Sequence, residues 1–291
     1  MLPAFQKLPM NLLRPFRGHR RHHAGVADGL QCHSPAVVGA LQFDHDEVPP
    51  LDAAVLLIRP LTWTRGTVVT AAALVAAALV AAALASATAG AQARHPVSGR
   101  AIAQVMGYEG AAWLERPERE SEERPSKAIK ALDIKPGQVV ADVGAGSGYY
   151  TVRLAERVGP TGRVFATDIQ PEMLSLLRSR VARARLDNVE LVLSADADPR
   201  LPEGLFDLVL MVDVYHELAR PQEVLRKLRA SLKPDGRLVL VEFRKENAWV
   251  PIREEHKMSV KEARMELEAE GYRFDRVIGV LPWQHILVFR R

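Results

Sequence analysis

Cysteine is almost missing from this 291-residue chain. Cys32 stands alone, which excludes an intrachain disulfide and any cysteine-rich zinc site. Aromatic residues are scarce, at 6%, and charge of either sign nearly cancels: 39 Lys and Arg against 35 Asp and Glu leave +4. So weak a field, without basic residues interleaved with aromatics, gives no reason to expect a nucleic-acid partner. No internal repeat is visible. What is present is ordinary globular material. Hydrophobic residues make up 48% and charged residues 25%, enough apolar surface for a packed core.

The composition changes along the chain. Residues 1–93 hold five of the nine histidines and the lone cysteine, without an amphipathic period. Lys7 to His23 is a basic stretch carrying the pair His22 and His23, and it reads as a solvated, disordered segment with no metal-ligand spacing. Gly66 to Ala93 contains no charge and is rich in alanine. Arg59 and Arg65 precede it and Ala91-Gln92-Ala93 ends it. A basic flank, an apolar stretch and an A-x-A end are the parts of a secretory signal, and the run is long enough to span a bilayer. The organisation expected is a leader or over-extended start over 1–65, a signal peptide or transmembrane segment over 66–93, and one folded domain over 100–291. No methionine lies between Met10 and Met106, so a start at a non-methionine codon near Leu61, Val68 or Val69 is expected.

From about residue 100 the pattern alternates. Apolar runs at Val139–Val143, Val164–Thr167, Val189–Leu193, Leu208–Val212 and Leu238–Val241 predict strands. Helical patterns at Tyr150–Val158, Pro171–Arg185 and Pro221–Leu232 fall among them. Lys233-Pro234-Asp235-Gly236 reads as a helix stop and turn. Repeated strand–helix units imply a doubly wound α/β fold with a mostly parallel sheet. A charged helix at Val260–Gly271 is followed by two close strands, Val277–Leu281 and His285–Arg290, which must pair as an antiparallel hairpin.

The first strand runs into Asp142-Val143-Gly144-Ala145-Gly146-Ser147-Gly148-Tyr149. Alternate glycines permit a tight strand-to-helix turn and close approach of a ligand to the backbone. Asp168 ends the second strand, where a carboxylate can accept both ribose hydroxyls of a nucleoside. A nicotinamide fingerprint needs a glycine where Tyr149 stands. The pattern is instead acidic-x-G-x-G-x-G, headed by Asp142.

Val139–Tyr150 resembles motif I of the class I S-adenosylmethionine-dependent methyltransferases. The resemblance continues through Val164–Leu174, Phe206–Leu218 and Leu232–Glu242, and the terminal hairpin is similar to that family's last two strands. It implies a Rossmann-like, seven-stranded sheet and S-adenosylmethionine as cofactor. It further implies that Gly144, Gly146 and Gly148 pass under the methionine part, with Asp142 beside its amino group. Asp168 would hold the ribose and Ile169 would lie against adenine. An acidic residue after the third strand would meet the adenine amino group; Asp196 and Asp198 both fall there, and Asp196 is preferred.

Methyl transfer from a sulfonium is an in-line displacement in which the protein chiefly orients the reactants. A hydroxyl or ammonium acceptor also needs a base. Asp213 and His216, after the fourth strand, are the catalytic candidates. His216 reads equally as a base, as pocket lining or as a packing residue. Trp249, His256 and Trp283 are candidates for surrounding an acceptor, against ordinary loop packing. Glu115–Glu123 reads as a solvated helical face rather than a lid. The partner expected is a small-molecule methyl acceptor; no metal ligand set is expected. A non-catalytic nucleoside-binding module and a nicotinamide oxidoreductase are the competing functions, and titration with S-adenosylmethionine and NAD separates the ligands.

The charge-free run predicts membrane association or export, the alternative being a cytoplasmic protein. Reporter fusions at Arg291, one active only in the cytoplasm and one only outside it, test this. A purely soluble cytoplasmic distribution of the natural protein contradicts it.

Overall fold

The computed structural model of the chain describes residues 92–291. Within them eight strands form one sheet: β1 (Val139–Val143), β2 (Arg163–Asp168), β3 (Val189–Leu193), β4 (Phe206–Val212), β5 (Leu232–Arg244), β6 (Lys257–Met258), β7 (Arg273–Ile278) and β8 (Gln284–Arg290). The order across the sheet is β3-β2-β1-β4-β5-β8-β7, and β6 pairs with β5 off this path. Strands β1 to β6 run parallel, while β8 is antiparallel to both β5 and β7. This is the doubly wound α/β sheet with a terminal hairpin that the sequence implies. The helices are α1 (Ala111–Leu114), α2 (Arg119–Glu122), α3 (Pro125–Ala131), α4 (Tyr149–Val158), α5 (Pro171–Ala184), α6 (Pro221–Ser231) and α7 (Val260–Ala269).

Both faces of the sheet are covered, so its central strands read as continuous apolar runs. Successive residues of one strand serve opposite faces. Val140, Leu208, Leu210, Val239 and Val241 pack with Leu154, Ala155 and Val158 of α4 and Ala128 of α3. Their neighbours Ala141, Val209, Met211, Leu238 and Leu240 pack with Leu225 and Leu228 of α6 and Leu267 of α7. The helix starts are written locally. Pro171 and Pro221 occupy the first turns of α5 and α6, where a missing N–H costs nothing. Ser259 and Glu262 close a capping box on α7.

Three expectations need correction. The sheet has an eighth strand, the two-residue β6, too short to leave an alternating pattern. The turn expected at Lys233–Gly236 lies inside β5: Phe206 pairs with Leu232 and Leu208 already with Arg237, so these residues loop out as a bulge. The folded body also begins before residue 100. Arg94 bridges Ala101, and His95 and Arg100 are buried. Arg100 holds Glu266 of α7 through Nε at 2.8 Å and Nη2 at 3.1 Å, and its Nη1 donates to the carbonyl of His216 at 3.1 Å. The charge-free run falls outside the described residues except for Gln92 and Ala93, as do the basic stretch and Cys32. Among the described residues no helix is long and apolar enough to cross a membrane.

Arg100→Ala leaves Glu266 a buried carboxylate without its guanidinium. Urea denaturation of the full chain should show a loss of about 3–5 kcal/mol. A change under about 1 kcal/mol would mean that the segment before residue 103 is not part of the folded body.

Candidate active site

The carboxyl ends of the central strands open into one cavity, where open α/β sheets place their ligands. Gly144 and Gly146 line it after β1, Asp168, Ile169 and Gln170 after β2, and Ser194, Ala195 and Asp196 after β3. Asp213, Val214, His216 and Glu217 line it after β4. Of the residues singled out in the sequence, Gly144, Gly146, Asp168, Ile169, Asp196, Asp213 and His216 are therefore brought together. Asp142 and Gly148 stand behind the wall. Asp198 turns away, accepting from the Arg200 N–H at 2.8 Å and lying 3.8 Å from Lys227.

The loop is held by its neighbour strand. Asp168 Oδ2 accepts from the Gly146 N–H and Oδ1 from the Gln170 N–H, both at 2.9 Å. Gly144 sits at φ +70°, and a Cβ there would lie 2.5 Å from Val214 Cγ2. Gly148 caps α4 at φ +84°, where a Cβ would lie 2.8 Å from Leu177. Both positions exclude side chains on conformation and on space. Asp142 works from beneath. It accepts from Thr151 Oγ1 at 2.6 Å, tying β1 to the first turn of α4. Burial raises its pKa to about 6, against the lowering effect of that hydrogen bond.

Asp213 leaves β4 at φ +53°, uncommon for a residue other than glycine. Gln284 Nε2 donates to its Oδ2 at 2.6 Å, while its buried Oδ1 has no hydrogen-bond partner among the described residues. Burial, and then the nearby Glu123 and Glu242, push this carboxyl well above the usual carboxylate range. A buried acceptor without a partner on a cavity wall calls for a ligand donor or cation.

A roof covers the cavity from residues 105–119. Val105, Met106, Trp113, Leu114 and Arg119 line it. Gln170 pins the roof from both sides of its amide: Oε1 accepts from the Tyr108 N–H at 2.9 Å and Nε2 donates to Met106 O at 3.0 Å. The run Glu115–Glu123 is a solvated face only in part: Pro117, Glu120 and Ser121 are exposed, while its arginines turn inward. Arg116 and Arg119 converge on fully buried Glu123 at 2.5 and 2.8 Å. Arg180 and Ser147 both bond Glu115, so the roof also grips the glycine loop and α5. At Arg116, Arg119 and Glu123, pairing replaces the solvent that the composition suggests.

At the opposite end, His216 Nδ1 meets Glu242 Oε2 at 2.6 Å and its Nε2 meets His256 Nδ1 at 3.1 Å. Glu242 Oε1 accepts from the Tyr215 N–H at 3.0 Å, which fixes the pair. Burial, with Arg100 nearby, lowers His216 to about 3, so the imidazole is neutral. Burial raises Glu242 to about 8. His256 lines the cavity, but Trp249 does not: it is 92% exposed. Trp283 packs with Trp113 and Phe243 behind the wall.

The sequence model of the methyltransferase-domain family matches residues 134–284. The chain belongs to that family. That family is the class I S-adenosylmethionine-dependent methyltransferases, and membership implies S-adenosylmethionine as the cofactor. A structure of an S-adenosylmethionine-dependent methyltransferase from Aquifex aeolicus is 30% identical, with a TM-score of 0.60 over 64% of this chain and 98% of that one. The cyclase SpnF shares the fold alone, at 15% identity and a TM-score of 0.50 over 58% of this chain and 80% of that one. A ubiquinone/menaquinone biosynthesis C-methyltransferase, UbiE, from Burkholderia multivorans is 32% identical over 125 residues, 43% of this chain. The chain spans about half the length of the curated relatives it matches.

The cavity fits this methyltransferase cofactor. The unpartnered Asp213 oxygen suits a cationic ligand, and Asp168, Ile169 and Asp196 would hold the nucleoside. Sequence reasoning missed Glu242, Gln170, Glu217 and the roof. Glu242 alone left a signal, a carboxylate closing the apolar run Leu238–Val241.

Asp168→Ala should weaken S-adenosylmethionine binding by about 1–3 kcal/mol in calorimetric titration of the folded variant. The substitution removes a charged acceptor and frees the Gly146 N–H. Unchanged affinity would remove Asp168 from the nucleoside site.

Proposed function

We propose that this methyltransferase moves the methyl group of S-adenosylmethionine to a carbon of a small organic acceptor by in-line displacement. The carrying observation is the division of the cavity. Asp168, Ile169 and Asp196 stand on one side, and the His216–Glu242 pair with His256 on the other, under an apolar roof that includes Trp113 and Leu114. When bound, S-adenosylmethionine supplies an electrophilic methyl on a sulfonium. The work of the protein is to orient the two reactants and keep water out.

A carbon acceptor becomes nucleophilic once a neighbouring acidic proton leaves, as from a phenol or enol. His256, His216 and Glu242 are hydrogen-bonded in series, at 3.1 and 2.6 Å, and offer that proton a route off the acceptor. Burial holds His216 neutral and favours a protonated Glu242, so the series can hand a proton along but does not store it as an imidazolium. The UbiE relatives are C-methyltransferases, which supports carbon as the accepting atom.

The full chain, given methyl-labelled S-adenosylmethionine and a panel of phenols, hydroquinones, amines and thiols, should place the label in a new carbon–carbon bond seen by NMR. Transfer only to oxygen, nitrogen or sulfur would overturn the carbon assignment while leaving the methyltransferase in place.

A further inference from the structure

We propose that His216, His256 and Glu217 form a binding site for one divalent transition metal, of the zinc or iron(II) class, in the wall of the cavity. Three ligand atoms converge there. His216 Nε2 lies 3.1 Å from His256 Nδ1 and 3.8 Å from Glu217 Oε1, and His256 Nδ1 lies 3.6 Å from the same oxygen. A point equidistant from the three atoms lies about 2.0 Å from each, the length of a zinc–imidazole or zinc–carboxylate bond. Tetrahedral bonds of that length place ligand atoms about 3.3 Å apart, close to the separations observed. Two imidazoles and one carboxylate are a donor set that zinc and non-haem iron(II) share, with coordination positions left open.

The surroundings are those of a built site. The other nitrogen of His216 is held by Glu242 at 2.6 Å, the carboxylate–histidine arrangement that orients a ligating imidazole. The His216 carbonyl accepts from the Ala103 N–H at 3.0 Å and from Arg100 at 3.1 Å, so the turn carrying two of the ligands is clamped. Glu217 uses its second oxygen, Oε2, to accept from the Met106 N–H at 3.4 Å, leaving Oε1 toward the histidines. His256 ends the single turn Glu254–His256 that leads into β6, whose Lys257 pairs with Phe243 one residue beyond Glu242. His216 and His256 are buried, yet all three ligands line the cavity, so a small molecule in the cavity reaches the open positions.

Metal binding here stands on this geometry alone. Its use rests on the methyl-transfer reading: a metal here would replace the His216–His256 hydrogen bond and, as a Lewis acid, would bind an acceptor oxygen and acidify its proton.

The full chain, stripped with a chelator, is titrated with cobalt(II) followed by visible absorption and with zinc(II) followed by calorimetry. Histidines elsewhere in the chain contribute equally to wild type and variants, so the difference between them reads this site. Wild type should show one more tight equivalent than Glu217→Gln or His256→Ala, with the cobalt d–d bands of a four- or five-coordinate site. Glu242→Gln should keep the site but weaken it about 10- to 100-fold. Circular dichroism checks that each variant folds, and the isosteric Glu217→Gln carries the comparison if His256→Ala does not. Equal metal uptake by wild type and Glu217→Gln, or no cobalt bands in wild type, overturns the proposal and leaves the cluster a hydrogen-bonded chain. Titrating the same stripped protein with S-adenosylmethionine tests the methyltransferase reading separately.

Discussion

The grip of Asp168 on two backbone N–H groups is the constraint on which the site depends. One carboxylate oxygen takes Gly146 and the other takes Gln170. The first contact fixes the glycine loop after β1. The second fixes the chain after β2, and Gln170 then anchors the roof at Met106 and Tyr108. A single side chain thus sets the spacing between the floor, one wall and the cover of the cavity. Its own burial raises its pKa, while the N–H groups it accepts from oppose the rise. The group that positions the loop is also the one the family resemblance assigns to the ribose.

The other end of the cavity is built from buried polar groups that would be costly alone. Glu242 is tolerable because Tyr215 and His216 bond it, and Arg100 because Glu266 does. These pairs tie together the segment from Arg94 to Ala103, the turn after β4 and α7. The family match covers residues 134–284, so it takes in Tyr215, His216, Glu242 and Glu266 but neither the roof nor Arg100. The shared core therefore accounts for the cofactor side. The roof lies outside that match, over the region where an acceptor would lie.

Most of the fold was legible in the sequence because burial on both sheet faces writes apolar runs, and helix starts carry Pro171, Pro221 and Ser259. The glycine loop was legible because backbone conformation demands it at Gly144 and Gly148. Contacts between distant residues were not. His256 meets His216 across 40 positions, and Glu217 joins them only because a turn exposes successive residues to the same cavity. The run Glu115–Glu123 misled for a related reason. Charges that pair with one another in the interior look, in composition, the same as charges that face water. Residues 94–99 fell between the charge-free run and the expected domain because their buried group, His95, is polar and leaves no apolar period.

Hydrogen–deuterium exchange of the full chain with and without S-adenosylmethionine tests the central claim, that one cavity at the carboxyl ends of β1 to β4 binds the methyl donor. The account predicts new protection at residues 144–148, 168–170, 195–196 and 213–217, with the roof at 105–114 slowed as well. Protection confined to other segments, or none at saturating ligand, would contradict it.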